Sequence, residues 1–367
     1  MAAIVTTLNR LYHDPKGGVA VRVGILGFGR FGRALAGLLE EAGHTFCALD
    51  PGVSIPEAHR AQDWAGLMDG ADFFALAVPV QALQGAISQA ATVLAPGQIL
   101  FDVGSVKSGP CRCMEEILGP RHPFAGTHPL FGPVSLARAE RPLRVVLCPS
   151  SLHPEAGRKV ARLFQGLGCE VLEQNPEDHD RVMATTHALT FFLAKGLLEV
   201  GAGADLPFTP PSFHSIQRTL ESVRGDAGHL FTTLQNENPF ALEARGHLLD
   251  ALQSIHRNLE EAAQEGQETP SLAIPDLGSR SPALQETRDY IDALDQELVG
   301  LLARRMELAR RAAKAKAELG TPVLDGTREA ALLGLRKAWA AEAGLDGPGV
   351  EEVFRAVLRL SRRTQGG

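Results

Sequence analysis

From Val21 onward, short apolar runs alternate with amphipathic stretches. VRVGILG (21–27) is a β-branched run of strand length, and RFGRALAGLLEEAG (30–43) then carries apolar residues at helical spacing. Further strand-like runs are TFCALD (45–50), ADFFALAVP (71–79), QILFDVG (98–104), PLRVVLCP (142–149) and CEVLEQ (169–174). Strands alternating with helices predict βαβ units and a parallel sheet. Ahead of them, residues 1–20 read as an extension ending in the turn-prone Pro15-Lys16-Gly17-Gly18. After about residue 176 the strands stop. The segments 179–200, 215–234 and 240–264 all read as helices.

A stretch rich in Pro, Gly, Ser and Gln follows and reads as a linker. Beyond it, Ser281-Pro282 has the form of an N-cap with proline at the first helical position. From there to about Glu318 nothing interrupts a helix, with Leu284, Ile291, Leu294, Leu298, Leu301, Leu308 and Ala312 on one face. A rod of about 54 Å has no place in a small compact domain and calls for a partner helix, from a second subunit. The predicted organisation is an extension (1–20), an α/β domain (21–175), an all-α domain (176–265), a linker (266–280) and an all-α three-helix domain (281–367).

Composition adds bounds. The chain has 367 residues, 44% hydrophobic and 22% charged, which fits two or three globular domains. A formal net charge of −7 argues against nucleic acid as a partner. There is no signal-peptide layout and no apolar run near the ~20 residues of a membrane span, so a cytoplasmic protein without a membrane partner is expected. The five scattered cysteines read as reduced thiols, and Cys111 and Cys113 lack a second pair to complete a zinc site, so no metal is expected.

Gly27-Phe28-Gly29-Arg30-Phe31-Gly32 has the G-x-G-x-x-G form between a predicted strand and a predicted helix. The first glycine permits the tight turn, the second lets a pyrophosphate approach the backbone, and the third allows close helix–strand packing. The helix N-terminus offers free N–H groups to the phosphates. Asp50 closes the next strand, where an acid binds both ribose hydroxyls. No Arg or Lys follows it closely, which favours NAD over NADP. The first domain is therefore expected to be a Rossmann-type dinucleotide-binding fold.

Two more segments stand at predicted strand ends, where ligands of such sheets bind: Asp102-Val103-Gly104-Ser105-Val106-Lys107, and Gly126-Thr127-His128-Pro129-Leu130-Phe131-Gly132-Pro133. With the His179-Asp180 pair that opens the helical part, these segments resemble the prephenate and arogenate dehydrogenase family over roughly residues 21–265. The resemblance implies that His128 accepts the proton of the substrate's ring hydroxyl as hydride leaves the same carbon. It implies that Ser105 bonds that hydroxyl and orients His128, and that Lys107 supports the site or pairs with a substrate carboxylate. Loss of carbon dioxide then aromatises the ring. The sequence departs from the family where a helical His is usual: Phe191 stands there, with His187 one turn earlier. Where the family has a carboxylate-binding Arg, His214 stands, with Arg218 one turn on. His187, His214 and Arg218 are candidate substrate-binding residues.

On the long helix, Arg288, Arg305 and Lys316 lie in phase with the apolar stripe: steps of 17 and 11 residues are close to five and three turns. Arg304, Arg310 and Arg311 read instead as a solvated face. With Asp325, Arg328, Glu329, Ser361 and Gln365, the in-phase cations match at every spacing the all-helical class of chorismate mutase, which this segment resembles over its full length. That reaction needs no acid, base or nucleophile, only a folded substrate and stabilisation of charge on the ether oxygen. Arg288 and Arg305 suit the two carboxylates, Lys316 and Gln365 the ether oxygen, and Glu329 the ring hydroxyl. In this class Arg288 comes from the partner of a homodimer.

The two resemblances agree, since one implied enzyme makes prephenate from chorismate and the other consumes it, a pair of steps in tyrosine biosynthesis. Tyrosine feedback would act on these same domains. The alternatives are the equivalent pair of reactions on 4-amino-4-deoxychorismate and its product, arogenate as the dehydrogenase substrate, or a mutase segment that serves only for dimerisation or tyrosine sensing.

Overall fold

The computed structural model describes residues 20–203, 208–265, 283–321 and 326–365. The chain divides into two compact units, one of Met1–Val134 with Pro142–Ala273, the other of Ser135–Arg141 with Ile274–Gly367. The extension, the linker, the Ser281-Pro282 cap and Asp325 fall outside the described residues.

The first unit is built on a seven-stranded sheet in the order β2-β1-β3-β4-β5-β6-β7. The strands are β1 (Arg22–Leu26), β2 (Thr45–Leu49), β3 (Phe73–Leu76), β4 (Ile99–Asp102), β5 (Phe124–Pro129), β6 (Leu143–Pro149) and β7 (Cys169–Glu173). β3 and β4 are buried along their whole length. Helices α1 (Arg30–Glu41), α2 (Trp64–Met68), α3 (Val80–Val93) and α4 (Ser108–Leu118) connect the parallel strands. Such strands read as continuous apolar runs because helices cover the sheet.

One expectation is corrected. The sheet is mixed: β5 and β6 are antiparallel, with His128 opposite Val146. The connection between them holds only one short helix, α5 (Pro133–Ala137). Five helical residues span about 8 Å, too little to run back along a strand of about 20 Å, so the chain returns directly. β5 also extends through Pro129, which places His128 on the strand itself instead of on a following loop.

Beyond the sheet, α6 (Pro154–Gly166) leads into β7, and the helices begin with α7 (Pro176–Met183), capped by Asn175, whose side chain accepts from the Asp178 N–H at 2.8 Å. A single wide π turn, Ala184–Ala188, joins it to α8 (Leu189–Glu199), so the predicted continuous helix is locally underwound around His187. α9 (Pro211–Asn236) and α10 (Ala241–Glu265) follow. Their small core gathers Ala188, Phe191, Leu220, Val223 and Leu234. This helical part is one compact unit with the sheet, and polar bonds show why: the Asp180 carboxylate accepts from the backbone N–H groups of Lys107 and Ser108, both at 2.8 Å. No disulfide joins any of the five cysteines.

The second unit has the long helix α11 (Ala283–Glu318, 36 residues), then α12 (Gly326–Glu342) and α13 (Gly347–Gln365). Met306, Leu333, Ala340, Val357 and Leu358 form its buried centre. Ile291, Leu294, Leu298, Leu301 and Leu308 stay exposed along α11. Arg310 and Arg311 both pair with Glu307 on their own helix. Among the described residues no helix is long and apolar enough to cross a membrane.

At the carboxyl end of β4, the Lys107 ammonium donates to Asp102 and to the Thr127 carbonyl, the latter at 2.7 Å, and both charged side chains are fully buried. Removing one partner leaves a buried charge without compensation. Lys107→Met should therefore lower the unfolding free energy by about 3–5 kcal/mol, read from urea denaturation; a loss under 1 kcal/mol would contradict this account of the pair.

Two candidate active sites

The glycine-rich turn follows β1 at the point where strand order reverses between β1 and β3, the place where such sheets open a crevice. Gly27 has φ of +92°, and a Cβ there would lie 2.4 Å from the Ala77 carbonyl oxygen. At Gly32 a Cβ would lie 2.1 Å from the Gly27 carbonyl oxygen, so helix and turn touch. Gly29 has open space where its Cβ would be. The three glycines thus divide the work of turn, close approach and packing, and the cradle fits a dinucleotide pyrophosphate. Asp50 accepts from Phe28 N–H at 2.7 Å and from Gly52 N–H at 2.8 Å, which holds its carboxylate beside the turn. The Phe28 ring is buried and stacks on Phe46 at 6.0 Å, Phe31 lies 6.0 Å from Phe131, and Arg30 is exposed at the first helical position.

His128 lies at the same edge of the sheet and is buried. Its Nδ1 is 2.9 Å from Nε2 of His179, whose Nδ1 is 2.8 Å from Asp180 Oδ1. His187 stacks on His128 with ring centroids 6.4 Å apart, and Phe191 packs against His187 at 5.0 Å. Burial first, and then the neighbouring His179, Lys107 and His187, hold the His128 imidazole well below its ordinary pKa. At Asp180 burial opposes the charge, but hydrogen bonds from His179, Ser108 and Lys107 outweigh it and keep the carboxyl below its ordinary value.

Of the dehydrogenase candidates, the structure brings His128 and His187 together. Ser105 is half-buried on the loop after β4. Lys107 occupies the supporting position: its ammonium is sealed against Asp102 and Thr127, which leaves no room for pairing with a substrate carboxylate. His214 and Arg218 are exposed on α9, and the buried histidine chain does not include them. His179 and Asp180 were legible only as a marker of where the helices begin. Their signal is local: with Met183 and Ala184 they form the buried face of a helix started by Asn175-Pro176.

In the second unit a cavity of about 280 Å³ is lined by Arg305, Lys316, Arg328, Glu329, Ser361 and Arg362, over an apolar floor that includes Leu308, Leu332 and Leu358. Arg305 donates to the Ser361 hydroxyl, which in turn donates a hydrogen bond to the Val357 carbonyl at 2.9 Å. Burial, and secondarily the Arg336 guanidinium, penalise the charge on Arg305. Four cations face one carboxylate, so the cavity is built for an anion. Sequence reading missed Arg362, whose guanidinium holds both Glu329 oxygens at 3.1 and 3.2 Å. It was within reach, because Leu358, Ser361 and Arg362 share one face at helical spacing. Arg288 is exposed on α11 and is not among the cavity residues; it lies 17 positions before Arg305, about 25 Å along a helix. The backbone of α13 reaches Gln365.

Comparison with known proteins matches both halves. Residues 50–173 match the family described as prephenate dehydrogenase, nucleotide-binding domain, and residues 287–366 match chorismate mutase type II. A probable arogenate/prephenate dehydrogenase of Methanocaldococcus jannaschii is 27% identical over 203 residues, 53% of this chain and 45% of that protein. The 4-amino-4-deoxyprephenate dehydrogenase of Streptomyces pristinaespiralis is 31% identical over 201 residues, 53% of this chain and 66% of its own. The chain thus spans less than two thirds of either relative. The isochorismate pyruvate lyase of Pseudomonas aeruginosa is 40% identical over 76 residues, 20% of this chain and 73% of its own. A crystal structure of prephenate dehydrogenase from A. aeolicus, 20% identical, shares the fold with a TM-score of 0.56 over 77% of this chain and 100% of its own. The chain therefore carries a prephenate dehydrogenase nucleotide-binding domain over residues 50–173 and, after it in sequence, a domain over residues 287–366 that belongs to the chorismate mutase type II family.

Proposed function

We propose that the chain is bifunctional: it rearranges chorismate to prephenate, then oxidises and decarboxylates prephenate to 4-hydroxyphenylpyruvate with NAD. The observation that carries this reading is the convergence of Arg305, Lys316, Arg328, Glu329 and Ser361 in one cavity, in a chain whose other site holds a buried histidine at the edge of a dinucleotide fold.

In the mutase cavity the guanidinium groups of Arg305 and Arg328 suit carboxylates, and Lys316 suits the ether oxygen where charge develops. Asp325 and Gln365 complete the set implied by the family. Arg362 orients the Glu329 carboxylate, whose remaining lone pairs can hold the ring hydroxyl. Arg288 is too distant along its own helix and would come from a second copy. The exposed stripe from Ile291 to Leu308, with steps of three, four and seven residues, fits burial against that copy. A homodimer would therefore complete the cavity.

In the dehydrogenase site, bound NAD supplies the hydride acceptor, with Gly27, Gly29 and the start of α1 against the pyrophosphate and Asp50 at the ribose. Neutral His128 takes the ring-hydroxyl proton, with Ser105 bonding the same oxygen, and carbon dioxide leaves as the ring becomes aromatic. Tyrosine, which shares the product's phenol, would act at these existing sites. The Streptomyces relative favours a second reading of the substrate, the amino analogue, and the Pseudomonas relative a second reading of the cavity, pyruvate elimination from isochorismate. Parallel assays on chorismate, isochorismate, prephenate, arogenate and 4-amino-4-deoxyprephenate separate them by kcat/KM.

Arg305→Ala should lower mutase kcat/KM by about 10²–10³-fold and leave prephenate oxidation within twofold, while His128→Ala should lower oxidation by about 10²–10⁴-fold and leave the mutase intact. Equal loss of both activities in either variant would defeat the assignment of two independent sites.

The lowered pKa of His128 sets a sign for pH. The imidazole stays neutral as pH falls through its ordinary value of about 6.5, so dehydrogenase kcat/KM should hold its plateau there and decline only at lower pH. An unfolded histidine binds the proton first, so stability linked to His128 is present above about pH 6.5 and is lost as pH falls below it, at up to about 1.4 kcal/mol per pH unit. In His128→Gln this segment of the stability profile should flatten; an unchanged slope would show that another group titrates.

A further inference from the structure

With both imidazoles neutral, the buried chain Asp180–His179–His128 admits one consistent arrangement of protons. The Asp180 carboxyl is held ionised by the Lys107 and Ser108 N–H groups and by His179. A carboxylate only accepts, so the proton on this bond belongs to His179 Nδ1. Neutral His179 then has its lone pair on Nε2, 2.9 Å from His128 Nδ1. For that contact to be a hydrogen bond, His128 Nδ1 must donate. Neutral His128 is left with a bare Nε2.

We propose that Asp180 and His179 are positioning residues of the dehydrogenase, which fix His128 in the Nδ1–H tautomer and so present Nε2 as the acceptor for the substrate hydroxyl. The inference rests on the reading of His128 as the base. Without it nothing selects the tautomer, and an Nε2–H imidazole would donate where it must accept. The chain also answers the charge that forms. Asp102 is neutralised by Lys107, whereas the Asp180 charge stands one imidazole away from His128, so an imidazolium at His128 gains a counter-charge through His179. The logic is that of an acid orienting a histidine in hydrolytic triads, with one further imidazole in the line.

A purely structural role makes a different forecast, because Asp180 also binds the first N–H groups of α4. His179→Leu removes the acceptor for His128 Nδ1, while His179→Gln offers an amide oxygen in its place. We expect kcat for prephenate oxidation to fall on the order of 10²-fold in His179→Leu, with KM within a few-fold, and to recover most of the loss in His179→Gln. Histidine ¹⁵N spectroscopy of the full chain without substrate reads the tautomer directly: His128 Nε2 should be pyridine-like in the wild type and should stay so in His179→Gln, whose amide oxygen accepts from Nδ1. NAD affinity checks that each variant is folded. A protonated Nε2 in the wild type overturns the proposal, as does kcat within twofold in His179→Leu. Failure of the underlying reading looks different, since His128→Ala would then oxidise prephenate normally whatever tautomer the spectrum shows.

Discussion

The dehydrogenase unit depends on one buried carboxylate. Asp180 closes the N-terminus of α4 by taking the N–H groups of Lys107 and Ser108, which no turn of that helix could satisfy, and it takes the imidazole of its neighbour His179 as well. The helix dipole favours a negative charge at that place. Through these bonds the first helix after the sheet is fastened to the carboxyl edge of β4, and Asn238 of the loop before α10 adds a hydrogen bond to the Asp180 carbonyl at 2.8 Å. The histidine that faces substrate in our reading is thereby set by a residue 52 positions later in the chain.

Much of this was legible beforehand, for physical reasons. The strands of a sheet covered on both faces are continuous apolar runs, so six of the seven announce themselves. β5 did not: Phe124–Pro129 includes Gly126, Thr127, His128 and Pro129, a composition that reads as a loop because its polar members serve the site. Thr127 is buried and satisfied, with its hydroxyl donating to the Asp102 carbonyl at 2.5 Å. The antiparallel return of β6 was equally hidden, since it depends on the length of one connecting helix and not on any pattern within the strands. The glycine turn was readable because backbone conformation and close packing leave few residue choices there, and Gly27 and Gly32 show both constraints.

The mutase unit was readable for the opposite reason. A three-helix frame preserves residue spacing, so polar residues placed at whole numbers of turns stay in register, and Arg305, Lys316, Arg328, Glu329 and Ser361 do meet in one cavity. Spacing reports which residues share a face but not which of them pair. The Glu329–Arg362 ion pair is such a case: Arg362 stands beside Ser361 in sequence, and only the approach of α13 to α12 shows that it holds the carboxylate.

In our reading the two sites solve opposite electrostatic problems. A rearrangement that moves no proton is served by fixed charge, and the mutase cavity sets four cations against one acid, with a half-buried arginine whose charge is costly to hold without an anion. An oxidation that releases a proton needs an acceptor that is empty beforehand. The dehydrogenase obtains one by burying His128 beside a lysine already neutralised by Asp102, so that the imidazole stays unprotonated without a standing positive charge on the base. Burial alone would make that imidazole a poor base in any geometry. The line of His179 and Asp180 gives the incoming proton a counter-charge and a fixed direction, and for this reason the tautomer of His128, more than its pKa, is the property on which the site turns.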